Sequence, residues 1–382
     1  MNRKTVFVLN LFWAFLFCFV LCPLALGQSA VRRALEPFID RGELPGVVSV
    51  LANSDGTLSI ESVGWADIEK KTPMTPDKMF WIASMSKQIT AAGILILVDE
   101  GKLSLDDPVE KYLPEFQNVR VGVKNDDGTV LLRKPTSAMT IRQVLSHTAG
   151  WPFLTPTMQQ FGIDSLPARL LASTAVQVPL LSDPGTKYQY SNVGIDIASA
   201  VIEVVSGLPF EQFLQKRIFD PLEMSDTTFW PSEEQLERMA KPYDISSGKC
   251  VLETRSQFTK RPFNDRVHRF AEGGGGLFST PLDVIKFFQM IANKGEYKGI
   301  RILSEQAVET FASKQTGDQV PDNYSLGMRI EGDWFGHNGA WQTDGMANYK
   351  TRQARLYFVQ ITGIWSPPAK AAWGKAVEED IK

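Results

Sequence analysis

Cysteine is nearly missing from this 382-residue chain: there are three, and two of them, Cys18 and Cys22, fall within the first 27 residues. Removal of that segment would leave Cys250 alone, so no disulfide could form within the chain and the core would have to hold the fold. Cys250 reads as a loop bystander, with no histidine close to it in sequence. A basic surplus is missing as well. The net charge is −3, which argues against nucleic acid as a partner. There is no acidic block, no low-complexity stretch and no internal repeat. Also absent is the Gly-x-Ser-x-Gly elbow that a Ser–His–Asp hydrolase would present.

One long apolar run is present, from Val6 to Leu26 behind Arg3 and Lys4. Ala25-Leu26-Gly27 places small residues where a signal peptidase cuts, so residues 1–27 are expected to be a cleaved leader and the protein secreted or periplasmic. The competing reading is a retained membrane anchor, since the run could span a bilayer. Cleavage would leave 38 basic against 43 acidic groups, a balance of −5.

The remaining chain divides by its patterns. A short helix is expected over about Ala30 to Arg41, ended by Gly42. Two strands, Gly46–Leu51 and Thr57–Val63, flank an Asn53–Gly56 turn. Ser84 to Glu100 reads as a helix apolar nearly all round, hence buried, and ended by Gly101. Val119–Arg133 reads as a hairpin, and Thr140–Ser146, Val193–Val205 and Phe210–Phe219 as helices. Thr280-Pro281-Leu282-Asp283 opens another helix, to about Asn293. Strand-like runs follow at Ser325–Ile330, Asp333–Gly336 and Ala354–Thr362. Strands at both ends with helices between predict an α+β fold: one antiparallel sheet flanked by helices, with a mostly helical lobe over roughly residues 105–270. The main domain would span 28–366, and 367–382 would be a tail or helix.

Three short motifs carry the chemistry. Ser84-Met85-Ser86-Lys87 sets a hydroxyl and an amine one helical turn apart on one face. Burial lowers a lysine's pKa and makes it a usable base. Ser-x-x-Lys alone is weak evidence; Ser246-Ser-Gly-Lys249 is a second match, in a polar turn that reads as surface. Ser84 is preferred because a Ser and a Lys heading an apolar helix would be costly to bury without a role. The bland alternative is a capped helix with a snorkelling lysine. Tyr190-Ser191-Asn192 is the second motif. Its phenol could move a proton, and its amide could bind a substrate carbonyl and orient Lys87. The alternative is a packed Tyr with Asn192 capping the next helix. His337-Asn338-Gly339-Ala340 is the third, where a glycine-lined strand edge lets substrate approach and the Ala340 N–H could join that of Ser84 as an oxyanion hole.

In this order and with these gaps, the three motifs resemble the serine beta-lactamase and penicillin-binding-protein superfamily, on its class C side. Further blocks carry the resemblance: Gly101–Val109, Leu145–Gly150, Pro184–Asn192 and Gly274–Thr280, within a span of roughly Ala30 to Thr362. It implies that Ser84 is acylated, that Lys87 and Tyr190 share base and acid work, and that Asn192 binds an amide-like carbonyl. It also implies that His337 and Gly339 line the strand side and that the Ser84 and Ala340 N–H groups hold the oxyanion. No metal or cofactor is implied. His147 is read as structural and His268 as a solvated loop residue. Many beta-lactamases carry lysine where His337 stands; a mostly neutral histidine predicts weaker carboxylate binding. Ester, peptide and beta-lactam substrates all stay open, as does a silent binding module. Trp151, Phe153 and Trp341 are candidates either for an apolar pocket or for ordinary core.

Overall fold

The computed structural model describes residues 29–254, 258–364 and 367–380, so the expected leader lies outside the described residues. Seven strands form the principal sheet: β1 (Gly46–Asn53), β2 (Gly56–Asp67), β3 (Thr72–Pro73), β4 (Arg329–Glu331), β5 (Trp334–Asn338), β6 (Asp344–Asn348) and β7 (Gln353–Phe358). Their order is β4-β5-β6-β7-β1-β2-β3, every neighbouring pair antiparallel. The two ends of the described chain thus meet at the β7–β1 pairing, in the register Val48↔Phe358.

Alternation along β1 and β7 separates two cores. Val48, Val50, Leu356 and Phe358 face the larger one. Val47, Leu51 and Tyr357 face the smaller. The longest helices are α1 (Ala30–Asp40), α2 (Ser86–Asp99), α3 (Asn192–Ser206), α4 (Pro281–Ala292) and α5 (Pro368–Asp380), with shorter ones such as Ala168–Ala175 and Phe210–Leu214 in the lobe. α4 covers the large-core face, capped by the Thr280 hydroxyl accepting from the Asp283 N–H at 3.2 Å. α1 and α5 pack together over the other face, where the Trp373 indole donates to Ser49 Oγ at 2.7 Å. The C-terminal segment is therefore a layer of the sheet. α2 and α3 cross in the larger core, buried nearly all round, as apolar patterning without a polar stripe requires.

One strand was missed and one boundary moves. β6 was not legible in the sequence. Asp-Gly-Met-Ala-Asn has no β-branched or aromatic residue, yet all five positions are buried between β5 and β7. Gly345 is needed there because a Cβ would lie 2.3 Å from the Phe288 ring of α4. The helix expected from Ser84 also begins later. Ala83–Met85 is a 3-10 turn, and α2 opens only at Ser86. The expected hairpin is present as Val121–Lys124 and Val130–Arg133.

Candidate active site

Ser84 sits on the 3-10 turn and follows Ala83, whose φ of 45° lies in the left-handed region. Such a conformation is strained for a residue with a Cβ and is found where surrounding contacts enforce it. The neighbouring Ile82 carbonyl accepts from the Met85 N–H at 3.1 Å and the Thr343 hydroxyl at 3.3 Å, tying the turn to the loop after β5. Gly339 belongs to that loop. A Cβ there would stand 2.4 Å from the Ile82 carbonyl oxygen, so only glycine permits this closeness. Gly339→Ala is expected to push the β5 side away from Ser84 and slow acylation by roughly 10–100-fold with the fold retained. Acylation rate and thermal melting, measured together, check this.

Lys87 is fully buried one turn beyond Ser84. Its Nζ donates to Ser84 Oγ at 3.2 Å, to Asn192 Oδ1 at 2.6 Å and to the Gly274 carbonyl at 2.5 Å. Burial pushes its pKa down to about 8, against the opposing pull of Glu272 and Asp196. The Asn192 amide, at the first position of α3, thus points at Lys87. Capping falls instead to Ser191, whose Oγ accepts from the Gly194 N–H at 3.4 Å.

Tyr190 stands over the same amine, with Lys87 Nζ 5.0 Å from its ring centroid. Its phenol donates to His337 Nε2 at 3.3 Å, and the other nitrogen, Nδ1, donates to the Asn338 carbonyl at 2.6 Å. Burial raises the phenol's pKa, while hydrogen bonding with Ser84 lowers it, and it stays protonated at neutral pH. Burial, then the charges of Lys87 and Arg329, push His337 down to about 3, leaving a neutral imidazole. The three distant motifs converge on one hydroxyl. The Ala340 N–H has no acceptor among the described residues and remains available to an oxyanion.

A narrow pocket of about 30 Å³ opens at Ser84, lined by Trp81, Phe153, Ile163, Phe258 and Ala340 among others. Of the three aromatic candidates, only Phe153 lines it. Trp151 is core against Phe116, and Trp341 packs on the side of Trp81 at 5.8 Å. Trp81 itself escaped the sequence reading, although it stands three residues before Ser84; its indole donates to the Gly275 carbonyl at 2.7 Å. Arg329, also missed, reaches the strand edge beside His337. Its charge is spent on Asp344, at 2.7 Å, and Glu331, at 2.7 Å.

The remaining candidates sit apart from the chemistry. His147 is buried beneath Tyr190, with ring centroids 4.5 Å apart, and its Nδ1 accepts the Ser191 N–H at 3.3 Å. It holds the Tyr-x-Asn turn. His268 is exposed and pairs with Asp265. Ser246–Lys249 is a surface turn whose lysine donates to the Arg41 carbonyl. Burial pushes the Cys250 thiol up to about 11, which makes it a poor nucleophile.

The beta-lactamase family model matches residues 31–373. Protein Rv1367c of Mycobacterium tuberculosis is 30% identical over 327 residues, covering 83% of this chain and 79% of the relative. The lovastatin esterase of Penicillium rubens is also 30% identical, over 76% and 74% of the two chains. Among solved structures, unliganded simvastatin synthase (LovD) from Aspergillus terreus superposes with a TM-score of 0.75 at 22% identity, over 92% of this chain and 96% of that one. D-amino acid amidase from Ochrobactrum anthropi SV3 does so at 0.69 and 24%, over 92% and 96%. These two likenesses concern the fold, which is the beta-lactamase/transpeptidase-like arrangement of antiparallel sheet and helices. By its sequence match over most of its length, the chain belongs to the beta-lactamase and penicillin-binding-protein family of serine hydrolases.

Proposed function

We propose that the protein is an exported esterase that works through an acyl-enzyme on Ser84 and prefers small, uncharged acyl substrates. The observation that carries this reading is that, among the described residues, the strand side of the cleft offers no free cation. His337 is neutral and Arg329 is already paired, so a substrate carboxylate would meet no unspent positive charge there. The pocket wall is largely aromatic and aliphatic, which suits an acyl group. Two relatives named as esterases, from Penicillium rubens and Burkholderia gladioli, fit the same reading. Export rests on the leader pattern of residues 1–27.

In this mechanism the free amine of Lys87 takes the Ser84 proton as Oγ attacks the carbonyl carbon. The N–H groups of Ser84 and Ala340 receive the oxyanion. Tyr190, a phenol at neutral pH, gives its proton to the departing alkoxide and is reprotonated from Lys87. Water then repeats the sequence in reverse and frees the acid.

A panel of a short-chain aryl ester, a chromogenic cephalosporin and a D-alanyl peptide tests the preference. The aryl ester is expected to turn over at least 10-fold faster, in kcat/KM, than the two carboxylate-bearing substrates, a gap of about 1.4 kcal/mol. Faster cephalosporin hydrolysis would reverse the assignment. Failure of every acylating agent to react would favour a silent binding module.

A further inference from the structure

Behind Lys87 lie two buried acids that the mechanism above does not use. Glu272 and Asp196 are each 2% exposed. Glu272 directly precedes Gly273–Gly276, the segment whose Gly274 carbonyl accepts from Lys87. Its Oε1 accepts from Asn192 Nδ2 at 3.4 Å, and Asn192 Oδ1 accepts from Lys87 Nζ at 2.6 Å. One amide therefore bridges acid and amine. Asp196 lies one turn along α3 from Asn192, on the same face. Glu272 Oε2 and both Asp196 oxygens have no hydrogen-bond partner among the described residues. The two carboxyls face each other without a well-formed bond between them.

We propose that Glu272 is a positioning residue: acting through the Asn192 amide, with Asp196 beside it, it is the buried counter-ion that sets when Lys87 holds a free amine. This deepens the acyl-enzyme reading and rests on it for its catalytic meaning. The physical case is one of charge. Two poorly solvated carboxylates side by side cannot both ionise, so one proton stays with the pair. Burial raises both carboxyls, Glu272 to about 7 and Asp196 well above the carboxylate range; Glu272 is the one joined to Lys87 through Asn192, and that geometry gives it the charge facing the amine. Ammonium with carboxylate, or amine with carboxylic acid, is then equally neutral, and neither form strands a charge in the interior. When Lys87 takes the Ser84 proton, the new ammonium already faces its counter-ion.

Other charged or titratable groups do not take that part. Asp164, from the loop packed on Glu272, is bound to Arg269 at 2.5 Å. His147 and His337 are held neutral by burial, and Tyr190 stays a phenol.

Glu272→Gln keeps the shape and an oxygen for Asn192 but removes the charge. Lys87 should then lose its proton more easily and be a weaker base. In the full chain, the acid limb of the ester kcat/KM profile is expected to move down by about one pH unit or more, while the plateau falls several-fold. Simple damage to packing lowers the plateau and leaves the limb in place. Asp196→Asn, which fixes that neighbour uncharged, should leave the limb within a few tenths of a unit. A shift there would assign the counter-ion to Asp196 and overturn the proposal, whether or not Glu272→Gln folds. The Lys87 side chain can also be titrated by NMR in unreacted protein. A midpoint lowered in Glu272→Gln supports the assignment even if Ser84 never acylates. An unmoved midpoint overturns it even in an active esterase.

Discussion

Ser84→Ala is expected to lower turnover of an activated ester by about 10⁴-fold or more, with little change in melting temperature. The loss is large because no other group can take the nucleophile's place. Ser86 is the nearest hydroxyl in sequence, but its Oγ donates to the Ala83 carbonyl at 2.7 Å and accepts the Leu277 N–H at 3.1 Å, so it belongs to the scaffold. Stability should hardly change, since Ser84 is half-buried and its removal leaves Lys87 with two acceptors, Asn192 Oδ1 and the Gly274 carbonyl. Intact mass after incubation with the ester, followed by peptide mapping, gives the decisive reading. Wild-type protein should carry one acyl adduct on Ser84, and the variant none. An adduct on another serine would remove the nucleophile from this account.

Lys87→Met is expected to cost about 10³-fold or more in the same reaction and, unlike the serine change, to lower stability by about 3 kcal/mol. Methionine fills nearly the same volume, so packing is largely kept. What is lost is the donor that satisfies Asn192, Gly274 and the charge of Glu272, all in the interior. Wild-type rates are expected to carry the matching pH signature. Lys87 acts as a base only when deprotonated, and its pKa is lowered to about 8. Acylation should therefore climb as pH rises toward about 8 and level off above it. A profile flat between pH 6 and 9 in wild-type protein, or a Lys87→Met variant with undiminished rate, would point to another base.

Much of this site was legible before any fold was in view. Hydroxyl, amine, phenol and amide announce themselves as Ser84-x-x-Lys87 and Tyr190-x-Asn192 because helical spacing and turn chemistry are local. Trp81 and Arg329 were not legible. Trp81 looks like any core aromatic until the Phe80–Trp81 strand pairs with Phe278–Ser279 and turns its ring toward the pocket. Arg329 looks like a surface charge until β4 pairs with β5 and places it opposite Gly336. Glu272 was hidden for a different reason: an acid beside four glycines reads as a loop, and only burial against α2 and α3 gives it a meaning.

The sequence by itself determined which residues could do acyl chemistry, which helices had to be buried and which family the chain belongs to, because composition, periodicity and short motifs are local properties. Tertiary structure alone decided what those groups can do. Burial lowered the pKa of Lys87 and left His337 neutral, and the β7–β1 pairing and the closeness of Gly339 to Ile82 brought distant segments around one hydroxyl. A pKa and an approach distance depend on neighbours remote in the chain, and those neighbours exist only once the chain has folded.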